Sequence, residues 1–251
     1  KKLITKIYDD LNLASNSKNE KIASEKNISF SQGIEIKNIK FSYNDFSELV
    51  LDDLNLKINK GECIGIVGSS GSGKSTLLDI FSGLLNPTKG DILVDGRSIF
   101  ENINSFRSII GYVSQFIYLQ DDTLDNNIIF SKPDNFNKDK LEEVKKLSLI
   151  DEFSEKLPLK GLTIIGENGI SLSGGQRQRI GIARALYRDP EILIFDEATS
   201  ALDTNSEENI IKNIEKLKRK KTMIIITHRK STLKECDKIY ILKNRKLYLE
   251  K

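Results

Sequence analysis

The sequence has no tryptophan, one methionine, one histidine, two cysteines and four prolines in 251 residues, and each scarcity narrows what the chain can be. Cys63 and Cys236 are too few and too widely spaced for a disulfide framework or a thiolate metal cluster. Both read as small buried hydrophobes in a reducing compartment. No apolar run approaches the roughly 18 residues that cross a bilayer, so no stretch reads as a membrane span. Lysine and arginine (39) are nearly matched by aspartate and glutamate (36), and the net charge of +3 is a weak argument for nucleic-acid binding. With 30% charged and 38% hydrophobic residues the balance is that of a soluble globular protein, and the length fits one large domain or a domain with a subdomain. The first residue is Lys1 and the one methionine is Met223, so a processed product or an excised piece of a longer chain is expected.

What is present is concentrated in Gly68-Ser69-Ser70-Gly71-Ser72-Gly73-Lys74-Ser75-Thr76, between the apolar run Ile64 to Val67 and the apolar-periodic segment Leu77 to Leu85. This pattern predicts a buried strand, a turn that needs Gly68, Gly71 and Gly73, and a helix whose first N–H groups converge on a phosphate chain. Lys74 would reach the outer phosphates, the Ser75 hydroxyl would ligate Mg²⁺, and Thr76 would lie near the inner phosphates. A flexible Gly-Ser linker would not be flanked by a fully apolar run and an amphipathic helix.

In chain order, Leu3, Ile7 and Leu11 predict a short amphipathic helix over Lys1 to Leu13, followed by a polar linker to Gln32. From Gly33 the pattern alternates (Ile34, Ile36; Ile39, Phe41, Tyr43; Leu54, Leu56, Ile58), as in half-buried antiparallel strands. Cys63 to Val67, Ile192 to Phe195 and Met223 to Ile226 are continuous apolar runs, as in strands buried on both faces, with Ile110 to Val113 a further short strand. The helix after the glycine-rich loop should end at Asn86-Pro87, followed by a strand from Asp91 to Asp95. Further helices are expected over about Gly175 to Tyr187 and Glu207 to Leu217, and an alternating piece from Lys238 to Leu249 closes the chain. The whole is an α/β domain with a mainly parallel central sheet, an antiparallel β subdomain and an inserted α-helical subdomain over about 116–189.

Ile192 to Glu197 delivers Asp196 and Glu197 at the C-terminal end of a buried strand, where ligands of such sheets sit. Asp196 would hold Mg²⁺ through water; Glu197, facing the other way along the pleat, would orient or deprotonate an attacking water. Leu172-Ser173-Gly174-Gly175-Gln176 opens a helix with small residues and free N–H groups, a second anion-binding terminus where one nucleotide needs one. The second therefore suits a nucleotide held by another subunit.

On these motifs the sequence resembles the nucleotide-binding domain of ABC (ATP-binding cassette) transporters, a P-loop NTPase core, from about Gly33 to Lys251, with 1–32 as the helix and linker from a missing transmembrane domain. The resemblance implies that Tyr43 stacks on adenine, that Gln115 contacts Mg²⁺ and couples to the membrane domain, and that His228 contacts the γ-phosphate. It also implies that Ser200-Ala201-Leu202-Asp203 crosses to the opposite subunit. Gly166-Glu167-Asn168-Gly169 is similar to a loop of exporters that touches the intracellular helices of the membrane domains. The implied assembly is a head-to-tail dimer with two ATP molecules and Mg²⁺ at its interface, on the cytoplasmic face of the inner membrane, with transmembrane domains fused upstream. Each site would combine Tyr43, Gly68 to Thr76, Gln115, Asp196, Glu197 and His228 of one chain with Ser173 to Gln176 and Asp203 of the other.

One departure is Asn244-Arg245, where the family usually has a glycine-containing turn; no trailing helix follows. The rivals are a DNA-repair or chromosome-structural ATPase, which needs a coiled coil between Thr76 and Leu172, and a translation factor, which normally carries two cassettes. An inactive regulatory binder would have a degraded catalytic position. The wording around Gly166 to Ile170 is most similar to exporters of lipid-linked glycans, lipids or peptides.

Overall fold

A computed structural model describes residues 27–44, 48–130, 136–167 and 170–250. The expected N-terminal helix and most of the linker lie outside the described residues, as do Asn168 and Gly169.

The alternating segments become β1 (Gly33–Phe41) and β2 (Leu51–Asn59), paired antiparallel, and the turn at Lys60-Gly61 leads into β3 (Cys63–Val67). The phosphate loop follows, then α1 (Lys74–Phe81). β4 (Lys89–Val94) and β5 (Arg97–Ser98) return to the first sheet, and α2 (Ile103–Ser108) leads to β6 (Ile110–Val113). The inserted block holds β7 (Asp122–Thr123), α3 (Leu124–Ile129), α4 (Lys138–Leu147), α5 (Asp151–Ser154), β8 (Ile164–Ile165) and α6 (Gly174–Tyr187). The chain closes with β9 (Ile192–Asp196), α7 (Thr204–Glu215), β10 (Thr222–Ile226), α8 (Lys230–Lys234), β11 (Lys238–Lys243) and β12 (Lys246–Leu249).

Among the described residues, β2-β1-β4-β5 form an antiparallel sheet and β12-β11-β3-β10-β9-β6 a six-stranded one. In the latter every pairing from β11 to β6 is parallel; only the edge strand β12 is antiparallel. The continuous apolar runs now have a physical reason. The pleat sends Ile64, Ile66, Ile192, Ile194, Ile224 and Ile226 into one core with the antiparallel sheet and α1. It sends Cys63, Leu193, Phe195, Met223 and Ile225 into a second core beneath the helical block.

Two helix boundaries differ most from expectation, and one turn is made without its glycine. The helix α1 stops at Phe81 instead of Asn86, because Gly83 takes a left-handed backbone (φ 69°) and the Leu84 and Leu85 N–H groups both turn back to the Asp79 carbonyl. The helix α7 starts at Thr204, ahead of Glu207, because the Asp203 carboxylate caps it by accepting from the Ser206 N–H (3.0 Å). The turn lacking a glycine is met by Asn244 and Arg245 both at positive φ (50° and 67°), the two-residue hairpin geometry that glycine would supply more readily. Arg245 is held there by its carbonyl, which accepts from the Asp52 N–H (2.8 Å), and by its guanidinium on Glu48.

Candidate nucleotide site

β3 ends at Val67 and the loop that follows must turn sharply into α1. Gly71 and Gly73 sit at φ 75° and 102°, backbone that L side chains rarely adopt. At Gly68 the constraint is space: a Cβ would lie 2.6 Å from the Leu242 carbonyl oxygen. The α1 N-cap is Gly73, which has no side chain to offer the first N–H groups, so they are left for a ligand. Lys74 is buried and its ammonium donates to the Gly68 and Ser69 carbonyls (2.7 and 2.9 Å), folding the side chain over the loop.

Beside the loop is a cavity of about 520 Å³, within the range of small-ligand sites. Its walls include Tyr43, Ser70, Gly71, Gly73, Lys74, Ser75 and Thr76 on one side and Gln115, Asp196, Glu197 and His228 on the other. Gly68, Ser69 and Ser72 are not among the lining residues. Tyr43 lies beyond the end of β1, exposed, its ring edge-on to Phe41 (centroids 5.0 Å apart) and its hydroxyl 2.9 Å from Thr76 Oγ1.

β9 and β10 run parallel to β3, so their C-terminal ends deliver side chains to the same edge. Asp196 is the last residue of β9. Glu197 does not continue the pleat to the opposite face, as strand alternation predicts: its φ of 49° turns it back, and both carboxylates line the cavity. Gln115 Nε2 donates to Glu197 Oε2 (3.1 Å) and His228 Nε2 lies 3.4 Å from Glu197 Oε1, so two side chains from separate strand ends meet on one carboxylate.

Burial pushes the Asp196 carboxyl up from its ordinary value; Tyr112 opposes this by donating to Oδ2 (3.1 Å), while Glu197 and Asp79 add repulsion. Tyr112, half-buried on β6, is raised in turn by burial and by Asp196. Sequence reasoning missed it. The signal was a tyrosine in a strand that pairs in register with β9, which only the sheet order reveals.

The second terminus stands apart. Ser173 and Gln176 cap each other: Ser173 Oγ accepts from the Gln176 N–H (3.2 Å) and the Ser173 N–H donates to Gln176 Oε1 (2.8 Å). A Cβ at Gly174 or Gly175 would touch Ala201 (3.2 Å to its Cβ and 3.1 Å to its oxygen, respectively), so the glycines let this helix end lie on the 200–203 loop. Neither Ser173 to Gln176 nor Asp203 lines the cavity.

The loop fits a polyphosphate: an uncapped helix terminus, a lysine held in reserve on carbonyls, and Ser72 Oγ buried without a hydrogen-bond partner among the described residues. It also fits Mg²⁺. Among the described residues no cluster of three or more His, Cys, Asp or Glu could hold a metal, so a hydroxyl, an amide, one carboxylate and phosphate oxygens would serve, the mixed hard-oxygen set that Mg²⁺ accepts.

A mainly parallel sheet, a glycine loop opening α1 and paired acids at the end of β9, one strand removed from β3, define a P-loop nucleotide-binding domain. The comparisons with known proteins narrow this. The model of the ABC transporter family matches residues 51–200, and the chain belongs to that family. It is 42% identical over 210 residues to the ATP-dependent lipid A-core flippase of Haemophilus influenzae, covering 83% of this chain and 36% of that protein. The flippase of the same name from Escherichia coli K12 is 41% identical over 212 residues, covering 84% and 36%. Among solved structures, a bacterial Atm1-family ABC exporter with ATP bound superposes with a TM-score of 0.84 at 34% identity, covering 90% of this chain and 40% of that one. The chain thus spans 36% of the length of these curated relatives.

Proposed function

We propose that the chain is the ATP-binding and ATP-hydrolysing domain of an ABC exporter, working as a head-to-tail dimer at the cytoplasmic face of the membrane beneath transmembrane domains of the same polypeptide. The observation that carries the reading is the convergence of Gln115 and His228 on Glu197 at the mouth of the phosphate loop. A carboxylate so placed suits the orientation and deprotonation of a water attacking the γ-phosphate. Lys74 would exchange its two loop carbonyls for phosphate oxygens, and Tyr43 offers an exposed ring face to a base. Ser75, Gln115 and Asp196 would hold Mg²⁺, which when bound would supply neutralisation of phosphate charge.

The segment that follows Gln115 lines a cavity of about 350 Å³ with Ile117, Tyr118 and Leu119, opposite Glu167, Ile170 and Arg177, and Phe116 and Tyr118 are exposed. Apolar side chains left open beside a catalytic loop support a docking face for membrane-domain segments. The names of the relatives support a lipid-linked cargo. Cargo selection would belong to the transmembrane part; among the described residues no helix is long and apolar enough to cross a membrane.

The test is Glu197→Gln. Turnover should fall by on the order of 10² to 10⁴ while Mg-ATP still binds, if Glu197 is the general base. Light scattering should then detect a dimer with Mg-ATP and a monomer without it. Near-normal turnover in this variant would overturn the role of Glu197.

A further inference from the structure

Behind the site, a carboxylate that the proposed chemistry does not use is almost completely buried. Glu207, in the first turn of α7, is 4% exposed. A buried ionised carboxylate is tolerated when charged and polar partners surround it, and an apolar residue of the same volume would generally stabilise a core as well or better. Its surroundings indicate what the charge is for. Glu207 Oε2 pairs with Nη1 of Arg229, and Oε1 is 3.3 Å from Thr199 Oγ1 and 3.4 Å from Thr232 Oγ1. The other arm of the same guanidinium, Nη2, donates to the Ser200 carbonyl (2.9 Å) and reaches towards that of Leu202 (3.5 Å).

These contacts join three segments. Arg229 directly follows His228 in the chain, and its N–H donates to Thr227 Oγ1 (3.0 Å). Ser200 and Leu202 belong to the loop that runs from Glu197 to Asp203 and carries Ala201 against the glycines of α6. Glu207 supplies the fixed point. A guanidinium presents its donors on separate nitrogens of a rigid planar fork, so one arm can hold the carboxylate while the other holds the carbonyls; a lysine would have to reach all of them from a single nitrogen.

We infer that Arg229, oriented by the buried Glu207, is a positioning residue that ties the segment bearing His228 to the 200–203 loop, so that the group facing the γ-phosphate and the loop facing a partner chain shift together. This rests on the nucleotide-hydrolysis reading above. The pair thereby couples the two sites of a dimer, because closing one would carry the crossing loop into place for the other. Neither side chain lines the nucleotide cavity, so ATP affinity should be largely independent of them.

The experiment uses the full 251-residue chain, with steady-state ATP hydrolysis read as kcat, KM and Hill coefficient, alongside thermal melting. Arg229→Ala, Glu207→Gln and the double variant should each lose about tenfold in kcat with KM within about twofold, and the double should be no worse than the poorer single. The Hill coefficient should fall towards one. Arg229→Lys separates coupling from stability: it keeps a charge for Glu207, so melting should recover towards wild type while kcat does not. Should Glu207→Gln fail to fold, the two variants at Arg229, whose side chain is one-third exposed, decide alone.

Melting that drops while kcat and cooperativity per folded molecule stay at wild-type values would overturn the inference and leave the pair as packing. Additive losses in the double variant would overturn it too. Wild-type protein that neither hydrolyses ATP nor dimerises with it would instead overturn the hydrolysis reading, and the inference with it; a wild-type protein that does both while Arg229→Ala matches it would overturn the inference alone.

Discussion

The helices α1 and α6 both open with glycines and serines, and they are finished in opposite ways. At α1 the N-cap is a glycine at φ 102°, the first turn is uncapped by side chain, and a lysine and two carboxylates face the same cavity. At α6 the N-cap is a serine whose side chain takes one N–H, Gln176 answers on the Ser173 N–H, and the terminus is solvent-exposed. The first gathers its side chains around one cavity within one chain. The second is small, pre-ordered and outside the nucleotide cavity, as expected of a surface that meets its ligand only when another molecule brings one. Pre-ordering matters because a terminus that must reorganise on contact would lose affinity to that reorganisation.

The largest effects should come from separating the two. Lys74→Ala should abolish turnover by removing a donor aimed at developing charge, a loss on the order of 10² or more. Ser173→Arg should do the same by blocking the other terminus, yet leave ATP binding by the monomer intact. Mixed in equal parts, the two inactive proteins should regain activity, up to about a quarter of wild type, since half the dimers are mixed and each of those has one unaltered composite site. A mixture as inactive as its parts would break the comparison, because the second terminus would then act within its own chain or not at all.

How much of this was legible beforehand depends on how far apart the cooperating residues lie. The strands β3, β6, β9 and β10 are short apolar runs bounded by turn residues, and Ile110 to Val113 is found with the expected bounds. The phosphate loop is a local motif and was readable as one. Tyr112 on Asp196, Gln178 on the Ala201 N–H (2.9 Å) and Arg229 on Glu207 join residues separated by 84, 23 and 22 positions, and nothing in the local pattern marks them. The same holds for Cys63 and Cys236, both buried, whose sulfurs lie 3.9 Å apart because β11 adds next to β3. Glu197 was misdirected for a different reason: period-two alternation holds only while the backbone stays extended, and one positive φ cancels it.

A gentler change sharpens the contrast. Ser173→Ala removes the reciprocal cap and should lower stability by about 1 kcal/mol, the usual value of an N-cap side chain. If the hydroxyl also meets a nucleotide on a partner chain, turnover should drop further than this destabilisation explains, by about tenfold at saturating ATP. Denaturant unfolding and ATP hydrolysis on the same sample separate the two. Gln176→Ala should reproduce the stability loss, so a turnover defect confined to Ser173→Ala assigns the contact to that hydroxyl.

The smallest effect comes from a place where the chain supplies both cradle and anion. The N–H groups of Ser31, Gln32 and Gly33 converge on the Asp95 carboxylate at 2.6, 2.8 and 3.0 Å, with Ser31 Oγ adding a fourth donor at 2.7 Å. This fastens the end of the segment leading into β1 by the physics that α1 reserves for a phosphate. Burial alone would raise the Asp95 pKa, but the Gly33, Ser31 and Gln32 donors outweigh it and hold it below the ordinary 3.8. Because the folded value is depressed, the stabilisation is fully present above 3.8 and fades as pH falls through the folded value. Asp95→Asn should therefore cost less than about 1 kcal/mol at neutral pH, since the partly exposed carboxylate is screened. The gap from wild type should close as the pH is taken below 3.8, and denaturant melts at pH 7 and across that acid window read it directly. A gap that stayed constant would mean the contact works through shape, and that an anion in an N–H cradle here differs in kind from the one α1 is built to receive.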